Sequence, residues 1–249
     1  MERYNDNIAI KRYNCIDNIR GITIISMIVY HAMWDLVYIF DRDIAWYHGE
    51  AAYIWQQSIC WTFILLSGFC WSMGKKPLSR GLIVFAAGAV ITLVTLMMPH
   101  NEHIIFGILT CIGSCMMIMC LADRIFSKIP EEVGVLSSIF IFLITKNTSN
   151  GYLGFGNLEL VHITDKVYDN MVTAYLGFPK AGFYSADYFP LIPWIFLFFT
   201  GYFIYGFMKK HDLLMHFAGR STPLCFIGRH SLLIYMIHQP FIFLVLQTL

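Results

Sequence analysis

The chain has 249 residues, of which 57% are hydrophobic and only 13% charged, with a mean hydropathy of +0.60 and a formal net charge of +1. Soluble domains carry about 25% charged residues, so this composition excludes an ordinary soluble globule and marks a polytopic membrane protein. A balance so close to neutral, with no basic cluster to neutralise phosphates, also excludes a nucleic-acid partner.

The opening MERYNDNIAIKRYN is polar and the first apolar run is long for a signal-peptide core, so no cleavable leader is expected. In chain order the apolar runs predict spans at Ile16–Phe40, Ala52–Met73, Leu78–Met98, Ile104–Ala122, a shorter Val133–Thr145, Asp187–Met208 and Pro223–Leu246. The expected fold is therefore all-α, one membrane-embedded domain over 1–249 with about seven spans and an outer loop or re-entrant segment. All seven cysteines fall in or beside these runs, where they read as small buried hydrophobes rather than a disulfide framework.

The first span carries the most chemistry. His31 and Asp35 lie four residues apart, one turn above each other on one helical face. Arg20 precedes His31 by eleven positions, about 16 Å along the axis on a similar face. A carboxylate at the centre of a span costs roughly 2.5 to 3.5 kcal/mol on insertion scales, so such groups face protein or a wet cavity. A core histidine bonded to a neighbouring helix is the plainer reading, but two titratable groups on one stripe are harder to explain as packing. Arg20 alone reads as a snorkelling anchor.

Between the later spans the signals are weaker. Asp41-Arg42-Asp43 with His48 and Glu50 reads as a solvated connection placed to touch an outer substrate. His100 and His103 in a following hairpin are metal-capable, but no third ligand accompanies them, and no metal is expected. Gly68, Gly88, Gly201 and Gly206 are expected at close helix contacts. The forty or so residues after Thr145 are aromatic and glycine-rich, a length uncommon for a structureless loop. They read as an outer lid, an interfacial helix around Thr164–Tyr175, or a re-entrant hairpin.

Asp187 opens the sixth span and reads as its N-cap, with Pro190 early in the helix. An additional role in an outer cavity is the other reading of Asp187. In the last span Arg229 and His230 sit at the entry, while His238-Gln239-Pro240 introduces polar groups and a kink deep in the helix. Arg229 reads either as an anchor only or, with Arg20, as a cytoplasmic phosphate-binding pair, because guanidinium forks match phosphate geometry.

Orientation follows from the basic residues. With the N-terminus inside, the inner segments hold 13 of the 17 Lys and Arg residues, and the outer ones keep only Arg42, Lys146, Lys166 and Lys180. We therefore expect N-in and C-out in a cytoplasmic (plasma) membrane. Arg20 then lies at the inner end of the first span, with His31 and Asp35 in its middle to outer half.

Arg20, ten intervening residues and His31 on a first span resemble the Arg-X10-His signature of integral-membrane acyltransferases. IDNIRGITIISMIVYHAMWDLVY resembles the opening of the heparan-alpha-glucosaminide N-acetyltransferase catalytic family. LGFPKAGFYSADYFPLIPWIFLFFTGYFIY and IGRHSLLIYMIHQP resemble its small bacterial branch, so the likeness covers nearly the whole chain. With about seven spans and no lumenal domain the chain is smaller than the lysosomal enzyme. The resemblance implies transfer of an acetyl or other acyl group from cytoplasmic acetyl-CoA, the acyl donor, to a hydroxyl or amine of an extracytoplasmic sugar or glycan. It implies His31 as base or acyl carrier with Asp35 as its partner. Arg20, Arg229, His230, His238 and Asp187 then contact CoA or acceptor, and a homo-oligomer is compatible with this reading. Two other classes stay open from the residues alone: a small proton-coupled transporter using His31 and Asp35, and a non-catalytic membrane subunit. The unequal spans show no inverted repeat of the transporter kind.

Overall fold

The computed structural model describes residues 13–98 and 102–248. In chain order the helices are α1 (Asn14–Tyr38), α2 (Glu50–Phe69), α3 (Pro77–Thr95), α4 (Ile108–Phe126), α5 (Glu131–Thr145), α6 (Met171–Leu176), α7 (Leu191–Lys210), α8 (Pro223–Arg229) and α9 (Ser231–Leu246). One antiparallel hairpin, β1 (Tyr152–Phe155) and β2 (Leu158–His162), lies between α5 and α6. The chain divides into two compact units, residues 1–49 with 208–249, and residues 50–207.

In the first unit α1 packs against α8 and α9. Ile16, Ile24 and Met27 are buried on α1, whereas Ile22, Ile25 and Val29 are exposed, the surface expected of a helix that meets protein on one side and lipid on the other. The α1–α8 approach is backbone to backbone. A Cβ on Gly21 would strike the Leu224 carbonyl, and one on Gly228 the Asp17 carbonyl. Pro223 starts α8 where its missing N–H costs nothing. The last span is not one rod: α8 and α9 meet at an 87° bend. The bend falls at His230, whereas Pro240 sits inside α9 without ending it. The kink is expected at Pro240, but the break falls ten residues earlier, at His230.

The second unit holds α2 to α7 and the hairpin. Close contacts fall at three of the expected glycines: Gly68 lies against the Phe198 carbonyl, Gly201 against the Leu65 carbonyl and Gly88 against Thr110. A Cβ on Gly206 would meet only the Glu131 side chain. Ser138 and Thr200 share a hydrogen bond of 3.0 Å between α5 and α7, and Trp71 Nε1 donates to the Met116 carbonyl at 3.0 Å. Helix α3 buries little beyond Gly81 and Gly88 and exposes Leu82, Ile83, Val90, Leu93 and Val94.

Among the described residues four helices, α1, α3, α4 and α7, are long and apolar enough to cross a membrane, and the bent α8–α9 pair adds a fifth if its two arms are one span. The other two expected spans fall short for different reasons. Helix α2 carries Glu50, Gln56, Gln57, Ser58 and Thr62. Helix α5 has 15 residues, about 22 Å of rise against the roughly 30 Å of a hydrocarbon core.

The segment after α5 is the hairpin, a short 3-10 turn at Asp165–Val167 and α6. The interfacial helix expected at Thr164–Tyr175 contracts to Met171–Leu176, started by a reciprocal cap between Asn170 and Thr173. The hairpin turns at Gly156-Asn157, with Gly156 at φ +54°. A Gly-Asn pair between short apolar runs is a turn signal that the sequence reading passed over.

Candidate active site

Every site residue proposed from the sequence except Asp187 falls in the first unit. They form two stations along α1. At the Asn14 end, Arg229 reaches back across the α1–α8 contact, where Gly228 lets the backbones approach. Its Nε donates to Asp17 Oδ2 at 3.0 Å and its Nη2 to Asn14 Oδ1 at 3.0 Å. Arg20 Nη1 donates to the other oxygen, Asp17 Oδ1, at 3.4 Å. The two arginines thus converge as expected, but on a carboxylate that the sequence reading overlooked. Asp17 stands three residues before Arg20 on α1, an ordinary helical ion-pair spacing, and that was the available signal. Both guanidiniums share one carboxylate, and both arginines keep part of their surface in the open. His230 stands at the bend, where its Nδ1–H donates a hydrogen bond to the Phe226 carbonyl at 2.8 Å.

The second station joins α1 to α9. His31 and His238 pack edge to face, ring centroids 4.8 Å apart. His238 Nδ1 donates to the Tyr235 carbonyl at 2.5 Å. Beside them Gln239 Nε2 donates to Asp35 Oδ1 at 2.6 Å, and Asp35 has no exposed surface. His31 and Asp35, one turn apart, do not hydrogen-bond to each other: α9 supplies a separate neighbour for each. Gln239 was missed as a site residue, although it sits between His238 and Pro240 in the polar step the sequence showed.

Two acceptors at this station are enclosed without a partner among the described residues, His238 Nε2 and Gln239 Oε1. A buried polar atom left so costs about 1 to 3 kcal/mol.

Asp187 belongs to the second unit and does something other than expected. It does not cap its own helix: α7 begins later, at Leu191, with Pro190 just ahead of it. Its Oδ2 instead accepts the Ile108 N–H at 3.1 Å, capping α4. Burial pushes its carboxyl up to about 6, partly opposed by the Ile108 hydrogen bond. Among the described residues no three His, Cys, Asp or Glu side chains gather as a metal site. His100 lies outside the described residues.

The family model of the heparan-alpha-glucosaminide N-acetyltransferase catalytic region matches residues 12–240. The chain belongs to that family. No curated protein and no solved structure matches it. The match of this acetyltransferase-family chain takes in both stations, Asp17 to Arg229 and His31 to Gln239, together with the hairpin and Asp187.

Proposed function

We propose that the chain is a membrane acyltransferase that carries an acetyl group from cytoplasmic acetyl-CoA to a hydroxyl or amine of a sugar or glycan on the far side of the cytoplasmic membrane. The observation that carries the reading is the coincidence of the family match with a His-bearing polar station deep in a span, three helical turns from an arginine pair. In this reading Arg20 and Arg229 hold the CoA phosphates, guanidinium forks against phosphate oxygens. Asp17 keeps both forks in place until a stronger anion arrives, and His230 stands beside them at the bend.

His31 takes the proton of the attacking hydroxyl or amine. The acceptor oxygen or nitrogen bonds to the acyl carbon, the carbon–sulfur bond breaks, and the proton ends on the CoA thiolate. A covalent acyl-His31 stage is the alternative route to the same products. Asp35, held by Gln239, is the carboxylate partner one helical turn from the imidazole. His238 and Gln239 lie on the acceptor side, and Asp187 serves by holding the start of α4.

The test is acetyl-CoA turnover by purified protein in proteoliposomes. His31→Ala should abolish turnover, a loss of at least about 100-fold if it removes a general base, while the thermal midpoint stays near wild type. Turnover at the wild-type rate in that variant overturns the assignment.

A further inference from the structure

We propose that His238 is the positioning residue of His31: its Nε2 accepts the His31 N–H and so decides which nitrogen of His31 keeps the lone pair. The inference rests on the reading of His31 as the base. It assigns the orienting of His31 to a second histidine rather than to Asp35.

The argument begins with the tautomer of His238. Its Nδ1 lies 2.5 Å from the Tyr235 carbonyl, which can only accept, so Nδ1 carries the proton. In the neutral ring Nε2 is then a bare lone pair. That atom is enclosed and has no partner among the described residues. The His31 ring packs against the same imidazole at 4.8 Å between centroids and forms no hydrogen bond of its own among the described residues. A neutral imidazole offers one donor and one acceptor. The donor that His238 lacks and the acceptor that His31 lacks are therefore on touching rings.

The torsion that turns an imidazole about its stem is soft, so rotation of the His31 ring is the movement that the pairing requires. With its N–H held by His238, the opposite nitrogen of His31 is left as the base. Asp35 is engaged by Gln239 at 2.6 Å and does not occupy a ring nitrogen of His31. Tyr30, edge-on at 5.9 Å, is the other ring against His31.

Two variants separate positioning from packing. His238→Phe keeps a ring and removes the lone pair, whereas His238→Gln puts an amide oxygen near the place of Nε2. We expect kcat for acetyl transfer to fall roughly 30-fold in H238F with KM for acetyl-CoA unchanged, and H238Q to recover most of it. In a His31→Ala background, H238F should cost nothing further, because it acts through the missing group. Substrate-free 15N spectra of histidine-labelled protein in nanodiscs give a second readout. They should show His238 protonated at Nδ1, a coupling through the hydrogen bond from His31 to His238 Nε2, and a change of His31 tautomer in H238F but not in H238Q.

Absence of that coupling in the wild type, or an H238F enzyme with kcat within twofold of wild type, overturns the proposal. Wild-type protein that shows the coupling but transfers no acetyl group upholds the pairing and refutes the acyltransferase reading instead.

Discussion

Asp35 has no exposed surface, and Gln239 brings an amide donor to it from α9 at 2.6 Å. A hydrogen bond to a charged group contributes about 1.5 to 3 kcal/mol, so Gln239→Leu should lower stability by that order, read as a denaturation midpoint in detergent. Gln239→Glu should be worse, because it sets a second carboxylate against the first. Asp187 makes a prediction about pH. Its carboxyl titrates at about 6 in the folded chain against 3.8 ordinarily, because burial disfavours the charge. Between these values the folded chain keeps a proton that the unfolded chain has lost, so stability falls as pH rises from about 4 to about 6. The change is on the order of 3 kcal/mol, and Asp187→Asn, which retains an acceptor for the Ile108 N–H, should flatten the midpoint-against-pH curve in that window. A curve equally steep in the variant would assign the dependence to another group.

The helices meet where side chains are missing. Gly21 and Gly228 let the α1 and α8 backbones touch, and that contact sets Arg229 against Asp17 and Asn14. Gly228→Ala inserts a methyl where a carbonyl oxygen already sits, so α8 must move. Overpacking of this kind costs typically 1 to 3 kcal/mol. We expect both a lower thermal midpoint and a raised KM for acetyl-CoA, because the arginine moves with its helix. A variant that lost stability while keeping its KM would separate Arg229 from donor binding. The 87° bend between α8 and α9 makes two differently directed helices of one apolar run. Hydropathy cannot register such a bend, since both arms are equally apolar. The hairpin is a related case: β1 and β2 span four and five residues with a bulge at Leu153/Gly154, too short and irregular for alternation to stand out.

For the molecule, span parity is the decisive quantity. Four crossing helices would return the C-terminus to the side of the N-terminus, whereas five, with α8–α9 counted as one span, or seven would not. The distribution of basic residues argues for the odd number, since Lys209, Lys210, Arg220 and Arg229 precede α9 and no Lys or Arg follows it. We predict that a tag at the N-terminus is shielded from protease added to intact cells and that one after Leu249 is cleaved. Shielding of both would mean that α8–α9 re-enters rather than crosses. Arg3, Lys11 and Arg12, which add to the inner count, lie outside the described residues.

The membrane class, the His31–Asp35 stripe and the three resembling blocks were legible in the residues alone, because each depends on what is adjacent in sequence or one helical turn apart. The three-dimensional arrangement decided what depends on residues from 79 to 212 positions apart. It showed that Arg20 and Arg229 share Asp17, that His31 meets His238 while Asp35 meets Gln239, and that Asp187 caps α4 instead of its own helix. The physical reason is the same in each case. Periodicity fixes which face of a helix a side chain occupies, but only packing selects the helix that lies against that face.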